Sequence, residues 1–176
     1  MLWTRRGIKL RPVTHGAQEL GRRGGTENVP GILGAGAACQ EAAAWLKDES
    51  ARNQIASLRD RFENALLSQI PTATINGTTS SRLWNTTNIG FATLEAEALL
   101  MLMSERGLCA SAGAACSSGS LDPSPILLAM GVPEQIAHGS IRFSLSRHTT
   151  EQEIDEAIEI VVQCVSRLGT SSAASL

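Results

Sequence analysis

Thirteen residues, Ala110-Ser-Ala-Gly-Ala-Ala-Cys116-Ser-Ser-Gly-Ser-Leu-Asp122, set one thiol among small side chains: ten of the thirteen are Gly, Ala or Ser. Such a stretch has no apolar periodicity with which to build a packed helix or strand, so it reads as a mobile loop carrying Cys116. A thiolate there is a nucleophile able to travel; an inert Cys in a linker has the same composition, and composition leaves both open. Two further groups of residues have the chemistry to hold an anion. In Gly139-Ser-Ile-Arg142-Phe-Ser-Leu145, alternation puts Ile141, Phe143 and Leu145 on one face and Arg142 and Ser144 on the other. Arg142 is then either a bidentate fork for a carboxylate or a solvated charge. In His15 to Asn28, Gly is dense and Arg22 and Arg23 precede Thr26. Freed backbone N–H groups, guanidinium and hydroxyl donors suit a phosphate or carboxylate, and a solvated Gly loop is the plainer alternative. No Gly-Lys-Ser/Thr follows, so this is not a Walker loop.

The elements that must position these groups are legible in part. Downstream of the thiol, Asp122 as N-cap, Pro123 in the first turn and Gly131 after the last turn predict a short helix over roughly 123–130. Upstream, residues 108–110 read as a short strand, with Cys109 facing a core. Ala73–Ile75 and Thr87–Phe91 read as strands joined near a turn at Asn76-Gly77, followed by a helix over 94–106. Thr150-Glu-Gln-Glu153 is a capping box. It opens a helix whose stripe is Ile154, Ala157, Ile158, Val161, Val162, Val165 and Leu168, which Gly169 ends, with Cys164 packed beside it. Asn28 caps an earlier helix with Pro30 in its first turn. Its Gly/Ala-rich body predicts close packing on a neighbour, with Cys39 buried. Ile55, Leu58, Phe62, Ala65 and Leu66 continue at helical spacing, as one long helix or as a second one, up to Pro71. Leu2 to Val13 reads as an extended pair turning at Arg5-Arg6-Gly7. His138 and His148 read as surface or capping residues.

Composition narrows the function classes. A length of 176 residues suits one domain, or a small domain with part of another, and 43% hydrophobic residues can fill a core. A net charge of −2, no basic block, three Phe and no Tyr argue against nucleic acid or an anionic membrane as partner. The longest apolar run, 98–103, is too short to span a bilayer, and Met1 to Arg6 is not followed by a signal-type apolar stretch. The cysteines at 39, 109, 116 and 164 make no Cys-x-x-Cys pair, so a zinc site is not expected, and reduced thiols in a cytoplasmic setting are.

Three stretches together resemble the cysteine desulfurases, pyridoxal-phosphate enzymes of the class V aminotransferase family, of the iron–sulfur-cluster assembly type, nitrogenase-associated or housekeeping. They are Gln18-Glu-Leu-Gly-Arg-Arg-Gly-Gly-Thr-Glu-Asn28, Ser111-Ala-Gly-Ala-Ala-Cys116-Ser-Ser-Gly-Ser-Leu-Asp-Pro123 and His138-Gly-Ser-Ile-Arg142-Phe-Ser-Leu-Ser-Arg147. The resemblance covers nearly the whole chain and is to the C-terminal part of such enzymes. It implies an α/β fold: the C-terminal small domain of a fold-type I pyridoxal-phosphate-dependent transferase plus a remnant of the large domain. Residues 1–30 are then the remnant, 31–70 a bridging helical region, 71–169 the small domain with the Cys loop, and 170–176 a tail.

The resemblance also implies a mechanism. The loop thiolate attacks the sulfur of L-cysteine held on the cofactor, alanine leaves, and the enzyme keeps a persulfide for an iron–sulfur scaffold protein or another sulfur acceptor. Cys116 is then the nucleophile and a candidate transient ligand of an iron–sulfur cluster. Arg142 binds the substrate carboxylate, and Thr26 binds the cofactor phosphate across a homodimer interface. One departure stands out. The family's Schiff-base lysine sits in a Ser-x-His-Lys motif followed by Gly-Pro, whereas Lys9 and Lys47 are the chain's only lysines and neither has that setting. The histidine that stacks on the cofactor ring is also missing, and His15-Gly16-Ala17 stands where the family is richer in Gly. The expectation is a C-terminal piece of a desulfurase that is inactive alone. The alternative is a non-catalytic, sulfur-accepting or partner-binding module derived from the small domain.

Overall fold

The structure is a computed structural model that describes residues 2–112 and 123–173; Cys116 and Asp122 lie outside the described residues. The chain divides into two units, 1–47 and 48–176.

In the first unit the expected pair of strands is absent. Arg6-Gly7 makes the turn, with Ile8 N donating to Arg5 O at 3.2 Å and Gly7 at a φ of +92°. The flanking residues then run on unpaired, because Leu2, Trp3 and Val13 bury no face within the unit and Pro12 has no N–H to give a ladder. A single turn, α1 (Gln18–Gly21), carries Glu19 and Leu20 in the left-handed region. Asn28 caps α2 (Val29–Lys47) as expected: its Oδ1 accepts from Gly31 N at 3.1 Å. No residue of α2 is buried, so the close packing predicted for it does not occur within the unit, and Cys39 is exposed rather than buried.

The second unit opens on α3 (Glu49–Gln69). Asp48 accepts from Ala51 N at 3.1 Å, so the two helical patterns form a pair broken at this cap. Strands β1 (Ala73–Ile75), β2 (Thr86–Phe91), β3 (Ser111–Ala112) and β4 (Ser140–Ser144) make one antiparallel sheet in the order β1-β2-β4-β3. Helices α4 (Ala96–Ser104) and α7 (Glu151–Ala173) pack with α3 against its apolar face. The core there is Phe62, Leu66, Ile89, Phe91, Leu99, Met103, Ile141, Val161 and Cys164, with Phe62 and Phe143 edge-to-face at 5.0 Å.

Short helices α5 (Pro125–Ala129) and α6 (Glu134–His138) follow the undescribed segment. The cap of α5 is Ser124, with Pro125 at its first turn and Gly131, at a φ of +79°, beyond its end. This places the helix two residues later than the Asp122-Pro123 reading.

Three local expectations need correction. The strand read at 108–110 forms at 111–112, because Gly107, at a φ of +83°, closes α4 and Leu108 N still donates to Met103 O at 3.0 Å. Cys109 is consequently exposed and borders an open cavity of about 530 Å³ with Leu100, Met101 and Leu108. Gly169 does not end α7, which runs on to Ala173, helped by Thr170 Oγ1 donating back to Ser166 O and Arg167 O. The Thr150 capping box forms as read. Glu153 N donates to Thr150 Oγ1 at 3.2 Å, and Thr150 N to Glu153 Oε2 at 2.7 Å.

Candidate active site

Arg142 stands at the centre of the polar face of the sheet. Ile141 and Phe143 are buried on the core side of β4, and Arg142 and Ser144 are exposed on the other, as alternation requires. The register sets Asn88 of β2 directly beside Arg142 on one side and Ser111 of β3 on the other. Asn76, just past β1, extends the row. Its backbone N donates to Asn88 O at 2.9 Å, and its side-chain nitrogen is 2.6 Å from Asn88 Oδ1 and 3.0 Å from Ser140 Oγ. One polar residue from each strand or its end thus lines up across the sheet. Among the described residues the Arg142 guanidinium has no hydrogen-bond or ion-pair partner.

The far end of this face is closed by α6. A Cβ on Gly90 would lie 2.3 Å from Ile136 Cγ2, so only Gly lets α6 come this close. Ser140 beneath it is 1% exposed and donates to Ile136 O at 2.8 Å. The loop from Asn76 to Asn85 is tied to α3 by a nearly buried ion pair. Arg82 Nη1 and Nη2 reach Glu63 Oε1 and Oε2 at 2.7 and 3.1 Å, and Arg59 Nη1 donates to Leu83 O at 2.7 Å. The hydrogen bond to Glu63 raises the Arg82 pKa further above its ordinary value.

Among the described cysteines, Cys164 is held in the core, and burial pushes its thiol pKa up, which makes it a poor nucleophile. The described residues contain no cluster of three or more His, Cys, Asp or Glu side chains suited to a metal. His138 faces Glu134 at 3.7 Å, and His148 is exposed. Among the described residues no helix is long and apolar enough to cross a membrane.

In the first unit, Thr26 is exposed two residues before the Asn28 cap, and its side chain has no partner among the described residues. Arg23 is not free to serve an anion. Its guanidinium donates to Gly24 O at 3.1 Å and Gly25 O at 2.5 Å, and it pairs with Glu27. Arg22 is exposed.

Sequence reading identified Arg142 and its face but passed over Asn76, Asn88 and Ser140. Alternation along Thr87–Phe91 does place Asn88 on the polar side. Nothing in the sequence says that β4, fifty residues on, lies next to β2.

Comparison with known proteins points one way. The family model for aminotransferase class-V matches residues 7–157. A protein named cysteine desulfurase 2 from Trichormus variabilis is 52% identical over 168 residues, covering 95% of this chain and 42% of the relative. Cysteine desulfurase NifS from Azotobacter vinelandii is 45% identical over 169 residues, covering 96% of this chain and 42% of its own. A solved structure described as a NifS-like protein superposes with a TM-score of 0.77 at 33% identity, over 93% of this chain and 41% of the other. The chain thus spans about 42% of the length of the curated relatives it matches.

Proposed function

Because the chain belongs to the aminotransferase class-V family, whose members depend on pyridoxal phosphate, we propose that it carries the thiol-bearing and carboxylate-binding part of a cysteine desulfurase. The observation that carries this reading is Arg142: an exposed guanidinium without a partner among the described residues, beside β3, the strand that leads directly into the stretch bearing Cys116. Arg142 grips the carboxylate of L-cysteine and fixes which way the amino acid lies. Cys116, as thiolate, attacks the substrate sulfur. A sulfur–sulfur bond forms as the substrate Cβ–S bond breaks; the electron pair passes to Cβ, which takes a proton, and alanine is released. Cys116 holds the persulfide until a sulfur acceptor, such as an iron–sulfur scaffold protein, collects it; a transient cluster ligand role for Cys116 belongs to the same proposal.

The fit of this chain to the cofactor is partial. Thr26 offers a hydroxyl without a partner among the described residues, ahead of the α2 N-terminus, where the helix dipole favours a phosphate. Lys9 and Lys47 are both exposed, and neither has the Ser-x-His-Lys setting, so the lysine that binds the aldehyde comes from outside these residues. Bound pyridoxal phosphate supplies the electron sink for cleavage of the carbon–sulfur bond. The wholly unburied α2 leaves apolar surface for the remainder of the large domain and for a second copy in a homodimer. A cytoplasmic location belongs to the same proposal.

The test is Cys116→Ser in the pyridoxal-phosphate-loaded enzyme that contains this chain, with L-cysteine as substrate. Expected is loss of the persulfide, mapped by alkylation and mass spectrometry, together with loss of alanine. Alanine formation at the wild-type rate in Cys116→Ser refutes the assignment. A wild-type chain that takes sulfur from a persulfide donor yet yields no alanine when loaded is the sulfur-accepting module instead.

A further inference from the structure

We propose that Asn88 is a second donor to the carboxylate held by Arg142, its amide turned the right way by a relay that ends on a backbone carbonyl; this rests on the assignment of Arg142 to the substrate carboxylate. The relay can be read from its anchored end. Ile136 O can only accept, and Ser140 Oγ lies 2.8 Å from it, so the one Ser140 proton is committed there. Towards Asn76, 3.0 Å away, Ser140 Oγ can then only accept, which makes the Asn76 atom facing it the NH₂. That same NH₂ lies 2.6 Å from Asn88, so Asn88 turns its oxygen toward Asn76.

Strand order converts this into a direction. β2 lies between β1 and β4, and Asn76 follows β1. With its oxygen toward β1, Asn88 sends its two N–H donors toward β4, where the residue directly opposite is Arg142. Paired side chains across antiparallel strands have Cβ atoms about 5 Å apart, so one small group can touch both. Asn88 NH₂ and the Arg142 guanidinium have donors and no acceptor between them. Such a pair suits an acceptor-only group, and a carboxylate has lone pairs for both. Asn88 adds a donor without adding charge, and so specifies where the carboxylate sits. Asn76 and Ser140 are positioning residues that act through Asn88.

The experiment titrates the isotope-labelled, pyridoxal-phosphate-loaded enzyme that contains this chain with L-alanine, using L-alaninamide as the control without a carboxylate, and follows the Arg142 Nε–H and Asn88 Nδ2 resonances by NMR. L-Alanine should move both and alaninamide neither. Asn88→Asp keeps an oxygen for the Asn76 NH₂ but removes the donors and adds a like charge, and should weaken L-alanine binding at least about tenfold. Asn76→Ala should shift the ligand-free Asn88 NH₂ signal and weaken binding by about threefold while Arg142 still responds. If L-alanine moves Arg142 but not Asn88, or Asn88→Asp binds as wild type, this inference is overturned and the Arg142 assignment stands. If neither resonance moves, or alaninamide moves them equally, the Arg142 assignment falls and takes this inference with it. The wild-type Asn88 signal decides the matter even if a variant does not fold.

Discussion

Arg82→Met tests how the Arg142 face is supported. Glu63 lies on α3 with its side chain only 6% exposed, and Arg82 meets both carboxylate oxygens. Removing Arg82 leaves a buried carboxylate whose remaining cation is Arg59, with Nε 3.9 Å away and Nη2 already bound to Asp60 at 2.6 Å. Breaking a buried pair costs about 3–5 kcal/mol. Arg82 is itself 23% exposed, and Arg59 can partly take its place, so about 2–3 kcal/mol is the reasoned value here. For a unit of this size that lowers the thermal midpoint by about 10 °C. Circular dichroism melts of wild type, Arg82→Met, Glu63→Leu and the double variant close the cycle. The double variant should recover most of the loss, because no charge is left buried alone. A loss below about 1 kcal/mol in Arg82→Met, or a double variant no better than the single one, would refute the claim that desolvation of Glu63 makes Arg82 indispensable. The same variant frees the loop that starts at Asn76, so the Asn88 amide signal should broaden as well.

Two further outcomes follow from single groups. Among the described residues Thr87 Oγ1, in β2, is buried without a hydrogen-bond partner, so Thr87→Val, which keeps the shape and removes the unmet hydroxyl, should stabilise the chain by about 1 kcal/mol in urea unfolding; a lower midpoint would mean the hydroxyl is satisfied. The Thr150 backbone and hydroxyl donors hold the Glu153 carboxyl below its ordinary pKa, so its contribution is present above the unfolded carboxyl value of about 4.3 and fades as pH falls through the lower folded value. Glu153→Gln should remove that acid-dependent component from stability measured against pH, and an unchanged profile would show that the capping box does not matter to it.

Where the physics is local, the sequence could be read. The Asn28 cap, the Thr150 capping box and the parity of β4 follow from side chains three residues apart or from strict alternation, and each has the expected bonds or burial. The failures arise where a long-range partner decides. Leu2 to Val13 has strand-like residues but no neighbouring strand within its unit. Cys39 is small enough to bury, yet nothing within the unit covers α2. The strand before the thiol slipped from 108–110 to 111–112 because α4 closes over Gly107 and Leu108 before β4 can pair. Asn76, Asn88 and Ser140 come from three separate stretches, and only the order β1-β2-β4-β3 brings them into one row. Cys116, Arg142 and Thr26 were assigned through resemblance. Of these, Arg142 and Thr26 lie among the described residues, and Cys116 lies outside them.

The placement of Arg142 is enforced from the opposite side of the strand. Side chains alternate, so a slip of β4 by one residue would bury the guanidinium and expose Ile141 and Phe143. Both are locked in the core, Phe143 against Phe62 and Ile141 with no exposed surface. A second lock sits at the start of β4. A Cβ on Gly139 would lie 2.1 Å from Phe91 O and 2.7 Å from Leu94 O, and Phe91 N donates to Gly139 O at 3.0 Å. Only Gly at this point allows the close crossing that starts the strand in register. The burial of two apolar residues and one close backbone approach therefore fix which residues face Arg142. Each member of the donor row stands on or next to a strand whose other face is core, and the Arg82–Glu63 pair ties down the loop that leaves Asn76. A binding group fixed in this way is preorganised for the carboxylate proposed to bind it.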